Sequence, residues 1–150
     1  MTKKLLLELA VETVEAGVAA GRGGAERVEL CADLSVGGIT PDAELLRAVR
    51  AQIQIPIFVM IRPRPGDFVY SAAEFEEMKA SIANAKFLGA DGLVLGILKR
   101  HNSVDIQRTR ELVSLAKPLP VTFHRAFDEC ADLSQALDDV VQTGAERILT

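Results

Sequence analysis

Six short, largely apolar runs recur along the chain, separated by longer stretches of mixed apolar and polar residues. The runs cover residues 5–10, 27–31, 57–61, 92–98, 121–123 and 147–149. Runs of this length are typical of strands that are buried on both faces, as in a parallel sheet covered by helices.

The stretches between the runs carry the spacing of amphipathic helices. In the last of them, apolar residues fall at i, i+3, i+4, i+7 and i+8: Leu133, Ala136, Leu137, Val140 and Val141. One helix start is predicted at Thr40-Pro41, with proline as first helical residue, and another at the capping box Ser71-x-x-Glu74. Helix ends are marked in a Gly-Ala phrase that recurs at 24–30, 89–95 and 144–150.

The resulting order alternates six strands with five helices, with right-handed crossovers expected. A TIM-type (β/α)8 barrel and a doubly wound sheet both have this order. No G-x-G-x-x-G motif follows the first run, and the regular recurrence of the strands favours the barrel. A complete barrel takes about 250 residues. We therefore predict one domain over residues 1–150, an incomplete barrel whose open sheet edges need cover.

Composition and charge narrow the class of protein. Hydrophobic residues make up 49% of the chain and charged residues 25%, which is typical of globular proteins. The net charge of −4 argues against nucleic-acid binding, and the short apolar runs argue against a membrane span. Two cysteines exclude a disulfide scaffold, and no signal peptide is evident, so we expect a cytoplasmic protein.

Charged residues in the strands, or just after them, are the candidates for chemistry, since barrel active sites lie at the carboxyl ends of the strands. They are Glu8, Glu29, Arg62, His124, Arg125 and Asp128. Val94 and Leu149 occupy the place of Glu29 in the other repeats, so the scaffold itself does not require an acid there. The similar surroundings of Glu8 and Glu29 predict two acids at a similar height on neighbouring strands, with Arg62 or Arg125 as partners.

Two loops have the composition of anion-binding sites. Gly37-Gly38 leads towards the helix start predicted at Thr40-Pro41, where free N–H groups bind phosphate or carboxylate. The loop that follows the third strand adds the guanidinium groups of Arg62 and Arg64. A tight turn and a solvated surface charge are the simpler interpretations of these two features.

The cysteines raise the question of a metal. Cys31 ends the second strand near the expected mouth of the barrel, and thiolates suit Cu(I). Alternatively, Cys31 is a catalytic nucleophile and His124 its base. The simpler interpretations are that Cys31 is a small buried hydrophobic residue and that His124 is a hydrogen-bonded scaffold residue.

Five phrases in the chain resemble the CutC family of copper homeostasis proteins. They lie at residues 27–31, 37–41, 61–64, 66–71 and 122–128, in the order found in the family. The resemblance implies a TIM-type barrel of which this chain is the N-terminal portion, a cytoplasmic location and a homodimer or larger oligomer. It also implies Cu(I) binding, with Cys31 as the best ligand and Cys130 or His124 as its partner. Many relatives have cysteine after the acid of the first strand, where this chain has Ala10.

Two functional hypotheses follow. The first is a Cu(I)-binding protein of copper homeostasis. The second is an enzyme that acts on a small phosphate- or carboxylate-bearing molecule, with Glu8 or Glu29 as acid or base and His124 as proton shuttle. In that hypothesis Asp128 joins the catalytic group, and the anion is held by Arg62, Arg64, Arg125, Gly37 and Gly38.

Overall fold

The computed structural model describes residues 5–150. Its strands are β1 (Glu8–Val11), β2 (Arg27–Leu30), β3 (Ile57–Met60), β4 (Gly92–Leu95), β5 (Val121–Phe123) and β6 (Arg147–Ile148). Its helices are α1 (Val14–Arg22), α2 (Ala43–Gln52), α3 (Ala72–Phe87), α4 (Ile106–Ala116) and α5 (Leu133–Thr143). The predicted alternation of strands and helices is confirmed. Two 3₁₀ helices that were not predicted lie at Leu34–Val36 and Arg125–Glu129.

The helix starts confirm one prediction and correct another. Helix α3 begins after Ser71, whose side chain forms the predicted capping box with Glu74. Helix α2 begins at Ala43 rather than at Pro41, because Asp42 acts as the N-cap and accepts a hydrogen bond from the Leu45 N–H over 2.7 Å. Pro41 therefore lies in the loop before the helix.

The six strands form one sheet in the order β1-β2-β3-β4-β5-β6, and every neighbouring pair is parallel. Strands β1 and β6 lie at its two edges. The sheet curls into a half-barrel with helices packed outside, which confirms the expected fold class. Within residues 5–150, no helix is both long and apolar enough to cross a membrane.

Alternate strand residues form two layers of the core. One set faces the helices and includes Val28, Leu30, Val59 and Leu95, all at most 1% exposed. The other set lies on the concave side and forms a separate cluster of Cys31, Phe58, Met60 and Val94. Because side chains alternate along a strand, polar residues placed between the first set point into the half-barrel.

The Phe58 ring fills the concave side near the amino ends of the strands. A Cβ atom at Gly92 would lie 2.4 Å from this ring, so the neighbouring strand requires glycine there. The guanidinium groups of Arg27 and Arg147 lie 4.2 and 5.0 Å from the ring centroid. The open space of the half-barrel lies at the opposite, carboxyl end.

Candidate functional site

A cavity of about 530 Å³ lies at the carboxyl ends of the strands. Its lining residues are Ala10, Glu29, Leu34, Val36, Gly37, Met60, Arg62, Phe68, His124, Arg125, Asp128, Glu129 and Leu149. Six of the residues singled out in the sequence are therefore brought together: Glu29, Gly37, Arg62, His124, Arg125 and Asp128. The other five are not among the lining residues: Glu8, Cys31, Gly38, Arg64 and Cys130.

Arg62 follows β3, and its side chain is almost completely buried, at 6% exposure. One terminal nitrogen, Nη1, donates to the carbonyl oxygens of Val36 and Gly38, and Nη2 donates to that of Gly66. The guanidinium thus ties together the loops that follow β2 and β3. Its Nε–H has no partner of good hydrogen-bond geometry, although the Arg62 side chain interacts with the Tyr70 hydroxyl and acts to lower the pKa of that group. No carboxylate pairs with Arg62 in the part of the chain that the structure describes.

His124 follows β5 and is 3% exposed. Its Nδ1 accepts a hydrogen bond from the Ala126 N–H over 3.2 Å, so the neutral ring carries its proton on Nε2. That Nε2 atom is buried and has no partner among residues 5–150. Burial and the nearby charge of Arg62 lower the pKa of His124 to about 3. These features favour a fixed hydrogen-bond donor over the proton shuttle that we expected.

Phe68 and Gly96 hold these two side chains in place. The Phe68 ring lies 4.9 Å from the His124 ring, and the Arg62 guanidinium lies 5.0 Å from the Phe68 centroid. A Cβ atom at Gly96 would lie 2.8 Å from the His124 ring, so glycine makes room for the imidazole. Sequence reasoning on the charged residues missed both, although Phe68 belongs to one of the phrases of the family resemblance and Gly96 lies in the fourth apolar run.

Glu29 is the buried acid of the site, at 6% exposure. The Cys31 thiol donates a hydrogen bond to its Oε1 over 3.6 Å. Burial is the main cause that raises the pKa of Glu29, and the charge of Glu8 raises it further. The hydrogen bond from Cys31 and the charge of Arg27 lower this pKa. A carboxyl with a raised pKa in a cavity is a candidate general acid–base group.

Glu8 and Glu29 were expected at a similar height, and the strand register offsets them by two residues. In the pairing of β1 with β2, Glu8 lies opposite Arg27, and Ala10 lies opposite Glu29. Glu8 is therefore two residues closer to the amino end of the sheet, where it forms an ion pair with Arg27. The shared local sequence does not reveal this offset between the strands. Neither Arg62 nor Arg125 is the observed ion-pair partner of either acid.

Arg125 and Asp128 form the rim of the cavity. The Arg125 Nε–H donates to Asp128 over 2.8 Å, and the Thr150 hydroxyl donates to the same carboxylate. These two hydrogen bonds lower the pKa of Asp128. The side chain of Arg125 is 73% exposed, so its charge is screened by solvent.

The glycine pair was expected to lead to a helix start with free N–H groups, but α2 begins five residues after Gly38, and the N–H groups of the pair are themselves bonded. The Gly37 N–H donates to the Leu34 carbonyl over 3.0 Å, and the Gly38 N–H donates to the Asp33 carbonyl over 3.1 Å. Both glycines have left-handed φ values of +89° and +85°, which turn the loop back on itself. Their contribution to the site is the Gly38 carbonyl, which accepts from Arg62.

Arg64 does not line the cavity. Its guanidinium forms ion pairs with Glu74 over 2.5 Å and with Asp67 over 3.0 Å. It also donates to the Val69 carbonyl over 2.9 Å. Arg64 therefore stabilises the loop before α3 rather than contacting the cavity.

The described residues do not form a ready-made cluster of metal ligands around Cys31. Cys31 is fully buried, and burial together with the charge of Glu29 raises the pKa of its thiol, whereas metal ligation requires the thiolate. Cys130 packs in a different hydrophobic cluster, where it donates to the Ala126 carbonyl. No three His, Cys, Asp or Glu side chains within residues 5–150 are grouped so that they could hold a metal ion.

Six sequential parallel strands, helices outside the sheet and a polar cavity at the carboxyl ends of the strands define an α/β protein of the TIM-barrel type. The model of the CutC family matches residues 5–150. The chain therefore belongs to the CutC family.

Relatives and a solved structure agree with this assignment. The chain is 52% identical over 145 residues to the copper homeostasis protein cutC homolog of Homo sapiens, covering 97% of this chain and 53% of that protein. It is 49% identical to a CutC family protein of Xanthomonas axonopodis pv. citri, covering 96% of this chain and 60% of that one. It therefore spans little more than half the length of these relatives.

The same likeness extends to the fold. The crystal structure of a putative copper homeostasis protein CutC from Streptococcus agalactiae matches with a TM-score of 0.89 at 35% identity. The match covers 97% of this chain and 71% of that one.

Proposed function

We propose that the cavity binds a small anionic molecule at Arg62 and that the protein is an enzyme acting on that molecule. The observation that carries the proposal is the state of the Arg62 guanidinium. It is a nearly buried cation on the wall of a cavity, with no ion-pair partner among the described residues. A buried charge without a counter-charge is costly, and a bound anion removes that cost.

His124 supports the same proposal from another strand. Its Nε2–H is a buried donor without a partner on the wall of the same cavity. Buried donors in native structures bond to protein, water or ligand atoms, so an unpaired donor beside a cavity is a candidate contact for a ligand oxygen. Arg62 and His124 thus place a positive charge and a neutral hydrogen-bond donor in the same wall of the cavity.

Glu29 supplies the group that is suited to catalysis. Its raised pKa brings a carboxyl closer to the range in which it both gives and accepts a proton near neutral pH. Arg62 and His124 would hold the ligand while Glu29 exchanges a proton with it. Asp128 and Arg125 form the entrance and contribute to the charge that an incoming ligand meets.

Cu(I) binding is the second candidate function, and it is favoured by the names of the relatives. Cys31 is its best ligand, because this thiol lies at the end of β2 next to Glu29. A Cu(I) site there needs ligands in addition to those that residues 5–150 group around it. The cytoplasmic location and the homo-oligomer implied by the family resemblance remain predictions.

The anion proposal is tested by thermal unfolding in sodium acetate, sodium phosphate and sodium chloride at matched ionic strength. We expect acetate or phosphate to raise the melting temperature more than chloride does. His124→Asn is the informative variant, because the Asn side-chain oxygen keeps an acceptor for the Ala126 N–H while the Nε2 donor is lost. The loss of a hydrogen bond to a charged acceptor should weaken anion binding about tenfold or more.

Arg62→Met and Arg100→Met provide a matched pair. Arg62→Met removes the buried charge and should abolish the stabilisation by acetate or phosphate. Arg100 lies on an exposed turn, so Arg100→Met should leave that stabilisation unchanged. Equal stabilisation by all three salts in the wild-type chain would refute the proposal. Stabilisation that persists in both Arg62→Met and His124→Asn would refute the site.

A further inference from the structure

The charges that line the cavity are unevenly matched. Two cations, Arg62 and Arg125, face three acids, Glu29, Asp128 and Glu129. Arg125 is engaged with Asp128 at 2.8 Å, so Arg62 is the lining cation without an ion-pair partner in the described chain. One buried positive charge requires one negative charge on the ligand.

The buried acid disfavours a ligand with a second negative charge. Glu29 is buried in the wall of the cavity, and its charge disfavours a second negative charge on the ligand, whereas Glu129 is exposed and its charge is screened by solvent. A phosphate monoester carries close to two negative charges at neutral pH, whereas a carboxylate carries one. The balance of charge therefore favours a monocarboxylate.

Glu29 offers a second contact to such a ligand. Its Oε1 accepts from Cys31, and its Oε2 makes no hydrogen bond with the residues that the structure describes. A carboxylate oxygen that lines a cavity accepts a hydrogen bond from a hydroxyl or amino group. The ligand therefore needs a donor in addition to its carboxylate.

Apolar side chains form much of the remaining wall: Leu34, Val36, Met60, Phe68 and Leu149. They contact the carbon atoms of a ligand rather than further polar groups. Polar recognition is thus concentrated at Arg62, His124 and Glu29.

We infer that the ligand is a small hydroxycarboxylate, with its carboxylate at Arg62 and His124 and its hydroxyl group donating to Glu29. This inference rests on the proposed function, since it specifies the anion held by Arg62. Of the phosphate- and carboxylate-bearing molecules considered above, the ligand thus belongs to the carboxylates.

Isothermal titration calorimetry of the 150-residue chain with glycolate, acetate and inorganic phosphate tests it. Glycolate differs from acetate by one hydroxyl group, so we expect it to bind about fivefold more tightly, the contribution of one net hydrogen bond. Phosphate should bind more weakly than acetate. Glu29→Leu should abolish the preference for glycolate over acetate, whereas Glu77→Leu, on the exposed face of α3, should preserve it.

Glu29→Gln keeps the shape of the side chain if the leucine variant does not fold. Because it removes the acidic group, phosphate binding should improve relative to acetate. Equal affinities for glycolate and acetate, or tightest binding of phosphate, would overturn the inference and leave the proposed anion site intact. If none of the three anions binds more tightly than chloride, the proposed function fails as well.

Discussion

The Cys31 thiol donates a hydrogen bond to Oε1 of Glu29 over 3.6 Å, and both side chains are buried on the concave side of the half-barrel. The thiol thus contacts the acid of the cavity without lining the cavity itself. The contact lowers the pKa of Glu29, while burial and the charge of Glu29 raise the pKa of Cys31. In this arrangement Cys31 is a hydrogen-bond donor to the site rather than an exposed ligand.

The close packing of Cys31 predicts the effect of substituting Gly38. A Cβ atom at Gly38 would lie 2.9 Å from Sγ of Cys31. Gly24 provides a control, because it also has a left-handed φ but has nothing within 4 Å of an added Cβ. We expect Gly24→Ala to cost about 1–2 kcal/mol of backbone strain and Gly38→Ala to cost about 1–3 kcal/mol more through overpacking.

Urea unfolding measures both costs. In the double variant Gly38→Ala/Cys31→Ala, the added methyl group no longer meets the sulfur atom, so part of the extra cost should be recovered. Equal destabilisation by Gly38→Ala and Gly24→Ala would show that the contact with Cys31 is not tight.

Gly96 should control the position of His124. Because an added Cβ would lie 2.8 Å from the imidazole, Gly96→Ala should displace the ring, destabilise the fold by about 1–3 kcal/mol and weaken anion binding. Gly21→Ala, in α1, is the matched control, since its nearest neighbour lies 3.8 Å away. That variant should be neutral or stabilising, by up to about 1 kcal/mol. Urea unfolding combined with anion titration measures both effects, and unchanged anion binding in Gly96→Ala would contradict the prediction.

The pKa of His124 predicts how stability changes with pH. In the folded protein this pKa is about 3, whereas an unfolded histidine titrates near its ordinary value of 6.5. Between these values the unfolded chain binds a proton that the folded chain does not. The free energy of unfolding contributed by His124 should therefore fall by about 1.4 kcal/mol for each pH unit as pH decreases from 6.5 towards 3.

The protein also loses stability in acid when carboxylates with lowered pKa values are protonated. These groups are Asp67, Glu74 and Asp128. The contribution of His124 is therefore isolated as the difference between the wild-type chain and His124→Asn, measured by urea unfolding across this pH range. His101, which is exposed, supplies the control variant His101→Asn. Parallel stability curves for wild type and His124→Asn would contradict the assignment of a buried neutral histidine.

Copper binding is decided by titration with Cu(I) under reducing conditions against a competing chelator. The Cys31 thiol is buried and hydrogen-bonded to Glu29, and its pKa is raised. We therefore expect Cu(I) binding to be weak and equal in the wild-type chain, Cys31→Ala and Cys130→Ala. Tight one-to-one binding that is lost in Cys31→Ala and retained in Arg62→Met would instead support the copper hypothesis. The Arg62 variant separates the two functions, because the guanidinium is no ligand for copper.

The candidate site was predicted in part from the sequence. Parallel strands share one carboxyl edge, so residues just after different strands, such as Arg62 and His124, were expected at one end of the barrel, and both line the cavity. The partners of these residues were not predictable from local sequence. Arg62 donates to loop carbonyls, and the Gly37 and Gly38 N–H groups form hydrogen bonds within their own turn. The path of the loops decides which backbone groups lie near these donors.

The sequence by itself determined the alternation of strands and helices, because buried parallel strands require continuous apolar runs and helix ends favour glycine. It also determined that Arg62, His124 and Arg125 lie just after buried strands. Only the tertiary structure decided that Glu8 lies two residues below Glu29, that Phe68 contacts both Arg62 and His124, and that Gly96 makes room for the imidazole. These relationships depend on strand register and on packing between segments distant in the chain, which no local pattern of residues encodes.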